Sequence, residues 1–114
     1  MTVESYRFGQ MVIDGRTYHR DVMILPGRVC DGWWRETGHR LSIADLEEAF
    51  KAKAQVLVIG TGFSGLMQVP AETSRELGQR GIELHVLHTA GAWALYNQLV
   101  SGDRRVVAAF HLSC

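Results

Sequence analysis

The sequence predicts a single α/β domain over residues 1–114: a three-layer β+α/β/α sandwich with a mixed central sheet and an N-terminal antiparallel β-meander. Three observations carry that reading. Short β-prone runs separated by glycine turns fill the first 40 residues, strands and helices alternate beyond residue 56, and Val56–Ile59 and Val106–Phe110 are apolar runs suited to strands covered on both faces. With 114 residues, 46% hydrophobic and 21% charged, the chain is sized for one core. A domain of this mass buries about two-thirds of its unfolded surface, so it needs no disulfide or metal staple.

Tyr6–Phe8, Met11–Ile13, Thr17–Arg20 and Val22–Leu25 read as the strands of the meander. Asp14-Gly15 is a hairpin signal because both residues tolerate positive φ, and Pro26-Gly27 closes the last strand. Val29-Cys30 and Trp33-Trp34 suggest one further strand. On it the two indoles would project to opposite faces, leaving one free as an interface anchor.

Ser42 with Asp45 has the form of a capping box, whose hydroxyl would accept from a first-turn amide, and predicts a helix start. Ile43, Leu46 and Phe50 form the apolar stripe of that helix, and Glu47, Glu48, Lys51 and Lys53 its solvent face. Val56–Ile59 then reads as the central strand. Pro70 and Gly81 bracket a second helix, with Glu72–Arg75 and Glu76–Arg80 spaced as ion pairs and Leu77 as its one strongly apolar residue. Ile82, Leu84 and Val86 alternate with Glu83 and His85, as in a strand near the sheet edge. Thr89 is placed to cap a third helix running to Val100, apolar almost all round and therefore covered on more than one side. Val106–Phe110 closes the domain as a buried strand.

Charge excludes two partner classes. Twelve Lys and Arg balance twelve Asp and Glu with no run of like charge, so there is no electrostatic footprint for nucleic acid or an anionic membrane. No apolar stretch approaches the ~20 residues of a membrane span. The N-terminal residues lack secretory and mitochondrial leader patterns, so the expected location is cytoplasmic. Cys30 and Cys114 form no CxxC motif, and free thiols without a redox role are expected.

Gly60-Thr61-Gly62-Phe63-Ser64-Gly65 matches G-x-G-x-x-G after a strand, yet its context does not fit a dinucleotide site. Pro70 would fall inside the helix that must hold the pyrophosphate, and the acid expected near His88 is missing, Glu83 being the nearest. No cofactor is therefore expected. The loop reads as a tight crossover whose glycines allow positive φ; its functional alternative is a cradle of backbone amides for a small anionic ligand. Ser64 lacks the second glycine of a nucleophile elbow, Leu66 standing in its place, although Asp103 and His111 follow in hydrolase order. His19, His39, His85, His88 and His111 show no zinc spacing. His85 and His88, like His111 and Cys114, lie three apart, which on a strand sends them to opposite faces, so no metal site is expected. Asn97, on an otherwise apolar helix, must be hydrogen-bonded; backbone is the expected partner, with the glycine loop as its candidate.

Gly15, Tyr18, Val22–Leu25, Trp33-Trp34, Val58-Ile59-Gly60-Thr61-Gly62, Thr89, Tyr96-Asn97, Leu99 and Arg105–Ala109 together carry a resemblance. Over residues 5 to 112 the chain resembles the MTH-type domain family of largely uncharacterised small proteins, which includes the adipogenesis-associated MTH-domain protein and mitochondrial complex I assembly factor three. The resemblance implies an α+β/α sandwich with a mixed sheet and a pocket-like junction of Gly60, Thr61, Gly62, Phe63, Thr89, Tyr96 and Asn97. It also suggests an interaction role. The resulting expectation is a non-catalytic module that binds a protein partner or assists complex assembly through Gly60–Gly65, Phe63 and the exposed member of Trp33 and Trp34. The alternative is a small-molecule protein or enzyme holding an anionic group on the same loop, with Ser64, Tyr96 or a histidine as proton donor.

Overall fold

In the computed structural model, which describes all residues 1–114, Asp14 and Gly15 take φ of 48° and 80° and reverse the chain between β2 (Gln10–Ile13) and β3 (Arg16–Tyr18). Ile13 pairs with Arg16, as a two-residue hairpin requires. β1 (Val3–Arg7) pairs antiparallel with β2 on the other side and completes a three-stranded sheet. The meander ends there, because β4 (Val22–Leu25) belongs to a second sheet.

That second sheet has five strands in the order β5-β4-β8-β6-β7, with β5 at Arg28–Asp31, β6 at Val56–Gly60, β7 at Glu83–Leu87 and β8 at Val106–Phe110. β6 runs parallel to β7 and β8, whereas β4 is antiparallel to β5 and β8, so the sheet is mixed. β8, not β6, holds the middle. Both are fully buried, and an apolar run reports burial rather than rank within a sheet. β7 lies at the edge, as its alternation predicts.

Strand periodicity divides the core. Val22, Ile24, Val56, Val58, Val106, Ala108 and Phe110 face the layer formed by the meander and α3 (Thr89–Val100). Met23, Leu25, Leu57, Ile59, Val107 and Ala109 face the opposite layer, which holds Ala49 of α1 (Glu47–Lys51) and Leu77 of α2 (Ala71–Gln79). The result is the expected three-layer sandwich, each fully buried aliphatic side chain contributing about 1.5–3 kcal/mol. α3 packs on β6, β7 and β8 and is also flanked by β1, which accounts for its apolar circumference. No helix is long and apolar enough to cross a membrane.

Local expectations are corrected at four places. Gly32, with φ of 80°, turns the chain after β5, so Trp33 and Trp34 lie outside any strand. One is nevertheless buried at 7% exposure and the other 74% exposed: the Trp33 indole donates to the Asp45 carbonyl at 2.9 Å and lies under the Arg35 guanidinium. Ser42 and Asp45 form the expected capping box, with the Ser42 hydroxyl also donating to Asp45 Oδ2 at 2.9 Å, but the helix they open is a 3-10 turn (Ile43–Leu46) that precedes α1. Phe50 is only half-buried and stacks under Arg80, while Leu46 and Ala49 carry the buried stripe. Glu76 pairs with Arg80, but Glu72 pairs with Arg40 of the preceding loop rather than with Arg75.

Candidate functional site at the strand ends

Gly60 is in register with both Leu87 and Phe110, so the three parallel strands finish together, the end at which open α/β sheets place their ligand sites. Several segments converge there. The glycine loop follows β6, His88 and Thr89 follow β7, and residues 111–114 follow β8. The turn between β1 and β2 joins them through the Gly9 amide, which donates to the Leu112 carbonyl at 2.8 Å.

Thr89 is the strut of this junction. Its Oγ1 accepts from the Gly62 amide at 2.9 Å and donates to the His111 carbonyl at 2.7 Å. His88 occupies the N-cap position, so Thr89 ties two strand-end segments together instead of capping α3. Close approach explains the glycines. A Cβ on Gly60 would fall 2.7 Å from Thr89 Oγ1 and 2.8 Å from Phe110; one on Gly62, at φ of 112°, would fall 2.5 Å from the Ser113 carbonyl oxygen. The amides of Thr61, Gly62, Phe63, Leu66 and Met67 all donate within the protein, which narrows an anion cradle to those of Ser64 and Gly65.

Beside the loop lies a buried charge cluster. Asp21 Oδ2 accepts from His111 Nδ1 at 2.8 Å and Arg35 Nη1 at 2.9 Å, and Oδ1 accepts from the Leu112 amide at 2.9 Å. Burial pushes the Asp21 carboxyl up, but the hydrogen bonds from His111, Leu112 and Arg35 together outweigh it and hold the group below its ordinary value. An ionised Asp21 can only accept, so Nδ1 of His111 carries the proton towards it, with Arg35 Nη2 3.3 Å from the same nitrogen, and in the neutral ring Nε2 is then the acceptor. That Nε2 is buried and has no hydrogen-bond partner. His111, the exposed His39 and the half-buried Cys114 each bring one metal-ligating atom within 4.8 Å of the others. This overturns the expectation that His111 and Cys114 point apart: β8 stops at Phe110, and residues 111–114 no longer alternate as a strand.

Over the same junction Phe8 and Phe63 stand edge to face, their centroids 5.6 Å apart, at 60% and 54% exposure. Leu66 is exposed nearby on the loop. Trp34 stands between two residues tied to Asp21: the Trp33 amide donates to the Asp21 carbonyl, and Arg35 pairs with the Asp21 carboxylate.

Residues 3–111 match the family described as "Protein of unknown function (DUF498/DUF598)". The chain belongs to that family. Among solved structures, this DUF498/DUF598 protein is similar to a conserved hypothetical protein of Pyrococcus horikoshii OT3, at 30% identity and a TM-score of 0.88, with 100% of each chain covered. It is also similar to the protein MT938, at 27% identity and a TM-score of 0.81, covering 99% of this chain and 98% of that one. A Bordetella pertussis protein described as a Mth938-like domain shares the fold at 21% identity and a TM-score of 0.69, covering 97% and 85%. The MTH-type resemblance and the sandwich it implies are thereby upheld.

Not every residue expected at the site of this DUF498/DUF598 member is there. Gly60, Thr61, Gly62, Phe63, Ser64, Gly65 and Thr89 assemble at the strand ends. Asn97 instead grips the backbone of β1, its Oδ1 accepting from the Val3 amide at 2.9 Å and its Nδ2 donating to the Val3 carbonyl at 2.7 Å. The partner is backbone as expected, but in the meander, not in the glycine loop. Tyr96 is buried against Phe110, and burial, with the charge of Asp14 adding, pushes its phenol up to about 12. Asp103 lies before β8, at the opposite end of the sheet from His111, so the Ser64–Asp103–His111 order forms no triad. The acid that does reach His111 is Asp21. Neither it nor Arg35 carries a local sequence signal, and Phe8 shows only as the last residue of an expected strand.

Proposed function

We propose that this chain is a non-catalytic protein-binding or complex-assembly module whose partner presents an apolar surface to the strand-end face. The reading rests on the Phe8–Phe63 pair. Two phenyl rings from segments 55 positions apart meet edge to face in solvent, where neither contributes to the buried core. Exposed aromatics on a rigid, hydrogen-bonded base are the residue type that supplies most binding free energy at protein interfaces. Leu66 is exposed on the same loop as Phe63, and Trp34 is a further exposed aromatic. The near-absence of charge on the Gly60–Gly65 loop favours recognition by shape and apolar contact over electrostatic steering. The family resemblance to a respiratory-complex assembly factor supports the same role.

Quantitative crosslinking with the full chain as bait tests it, comparing wild type with Phe8→Ser/Phe63→Ser. Both positions are exposed, so the double variant should keep the wild-type melting temperature while losing its specific partner at least about tenfold, the scale of one interface hot spot. Equal recovery by the two baits would refute the role of this face.

A further inference from the structure

We propose that His39, His111 and Cys114 bind a divalent transition metal of the zinc class, with Asp21 orienting His111 from behind. Two independent observations meet at this place. One is the cluster itself: one donor atom from each residue lies within 4.8 Å of the other two. The other is the orphaned Nε2 of His111, a nitrogen in a residue only 6% exposed that no protein group satisfies. Buried polar atoms are paired in the great majority of cases, so an unpartnered ring nitrogen at a cluster of ligating side chains calls for a partner there.

The surroundings fit a metal. Nδ1 of His111 is engaged by Asp21 at 2.8 Å, so Nε2 is the atom left to coordinate. A carboxylate behind a ligating histidine fixes its tautomer and raises its basicity. Arg35 pairs with Asp21 at 2.9 Å and, being a donor only, cannot compete as a ligand. The side-chain-free position at Gly62 lets ring and thiol segments close up: a Cβ there would sit 3.0 Å from His111 Cδ2 and 3.0 Å from the Cys114 carbonyl carbon. With sulfur at about 2.3 Å and nitrogen at about 2.0 Å from a tetrahedral zinc, donors stand about 3.5 Å apart. The cluster, whose donors lie within 4.8 Å of one another, must therefore contract by up to about 1.5 Å, to which the exposed His39 ring contributes by rotation. One thiolate and two imidazoles select zinc-class ions over magnesium or calcium, and three protein donors leave a fourth position for water. The site uses none of the exposed aromatics, so it stands or falls separately from the docking face.

The test strips the full chain with a chelator and titrates it with zinc by calorimetry and with cobalt by absorption. The expected result is one equivalent of each, with a thiolate-to-cobalt charge-transfer band that Cys114→Ser abolishes. His39→Ala, at an exposed position that does not endanger folding, should weaken zinc binding at least about tenfold, and Asp21→Asn by about 10- to 100-fold. His85→Ala, on the edge strand beside Glu83, should leave the titration unchanged. Absence of saturable binding by the wild type would overturn the proposal. So would binding that survives both Cys114→Ser and His39→Ala, since the metal would then sit elsewhere.

Discussion

Asp21 and His111, 90 positions apart, are joined by a 2.8 Å hydrogen bond, and the same carboxylate holds the Arg35 guanidinium and the Leu112 amide. One side chain thus ties the chain entering β4 to the chain leaving β8. Asp21→Ala should cost about 3–5 kcal/mol in urea denaturation, because it leaves the Arg35 side chain, 5% exposed, without its counter-charge. A loss below about 1 kcal/mol would mean that water reaches Arg35 and replaces the carboxylate.

The same pair sets an acid sensitivity. Asp21 is held below its ordinary value of 3.8 in the folded protein, so on acidification the unfolded chain takes up the proton first. Its contribution is therefore complete at neutral pH, begins to decline near 3.8, and is lost as pH falls through the lower folded value. Urea midpoints measured from about pH 6 to about pH 2.5 should drop further for wild type than for Asp21→Asn. Glu83, lowered to about 2 by Arg104 and His85, titrates in both proteins and cancels in the comparison. Parallel curves would remove Asp21 from the acid response.

Glycine substitutions separate close approach from flexibility. Gly60→Ala drives a methyl to 2.7 Å from Thr89 Oγ1 and 2.8 Å from Phe110, both fixed in the core, and should destabilise by about 1–3 kcal/mol. Gly78, inside α2 with nothing within 4 Å of its Cβ position, should instead gain up to about 1 kcal/mol as alanine. Thermal melts of the two variants should move in opposite directions. It follows that Gly62, where a Cβ meets backbone, cannot serve as a simple probe of ligand binding, because its replacement would disturb the fold itself.

What the sequence shows and what it hides divide by range. Asp14-Gly15, Val56–Ile59 and Pro70 declare their roles within a few residues, since turn geometry, strand period and helix breaking are local. The central rank of β8 is not local: it depends on β4 crossing into the second sheet to pair with it. Asn97 signals on its own that a partner is needed, but Val3 is identified only once the meander lies over α3. The Asp21–His111 contact has no signature at a separation of 90 residues. His111 and Cys114 meet because β8 ends at Phe110, a boundary that an apolar run continuing towards Leu112 does not mark.

Asn97→Ala should loosen one edge selectively. β1 pairs with β2 on one side, and on its other side the Asn97 amide satisfies both backbone groups of Val3. Loss of the two bonds should cost about 1–3 kcal/mol. Hydrogen exchange should accelerate at the Val3 amide far more than at the amides of β8, which the central sheet retains. Uniform acceleration across both sheets would show instead that α3 itself had been displaced.

Thr89→Val replaces a hydroxyl by a methyl of nearly the same volume, so it tests the strand-end strut without opening a cavity. The Gly62 amide loses its acceptor and the His111 carbonyl loses its donor, both in buried surroundings. Two unsatisfied groups at about 1–3 kcal/mol each predict a loss of about 2–4 kcal/mol, allowing for partial relaxation. Thr89→Ser keeps the Oγ and should recover most of it, at the cost of one methyl group's packing. Because the strut joins the glycine loop to the segment carrying His111, Thr89→Val should also weaken zinc binding at the His39–His111–Cys114 cluster, and serine should restore it. If valine lowered stability while zinc affinity stayed at the wild-type value, the cluster would have to be held by Asp21 alone, and the glycine loop would have no part in positioning it.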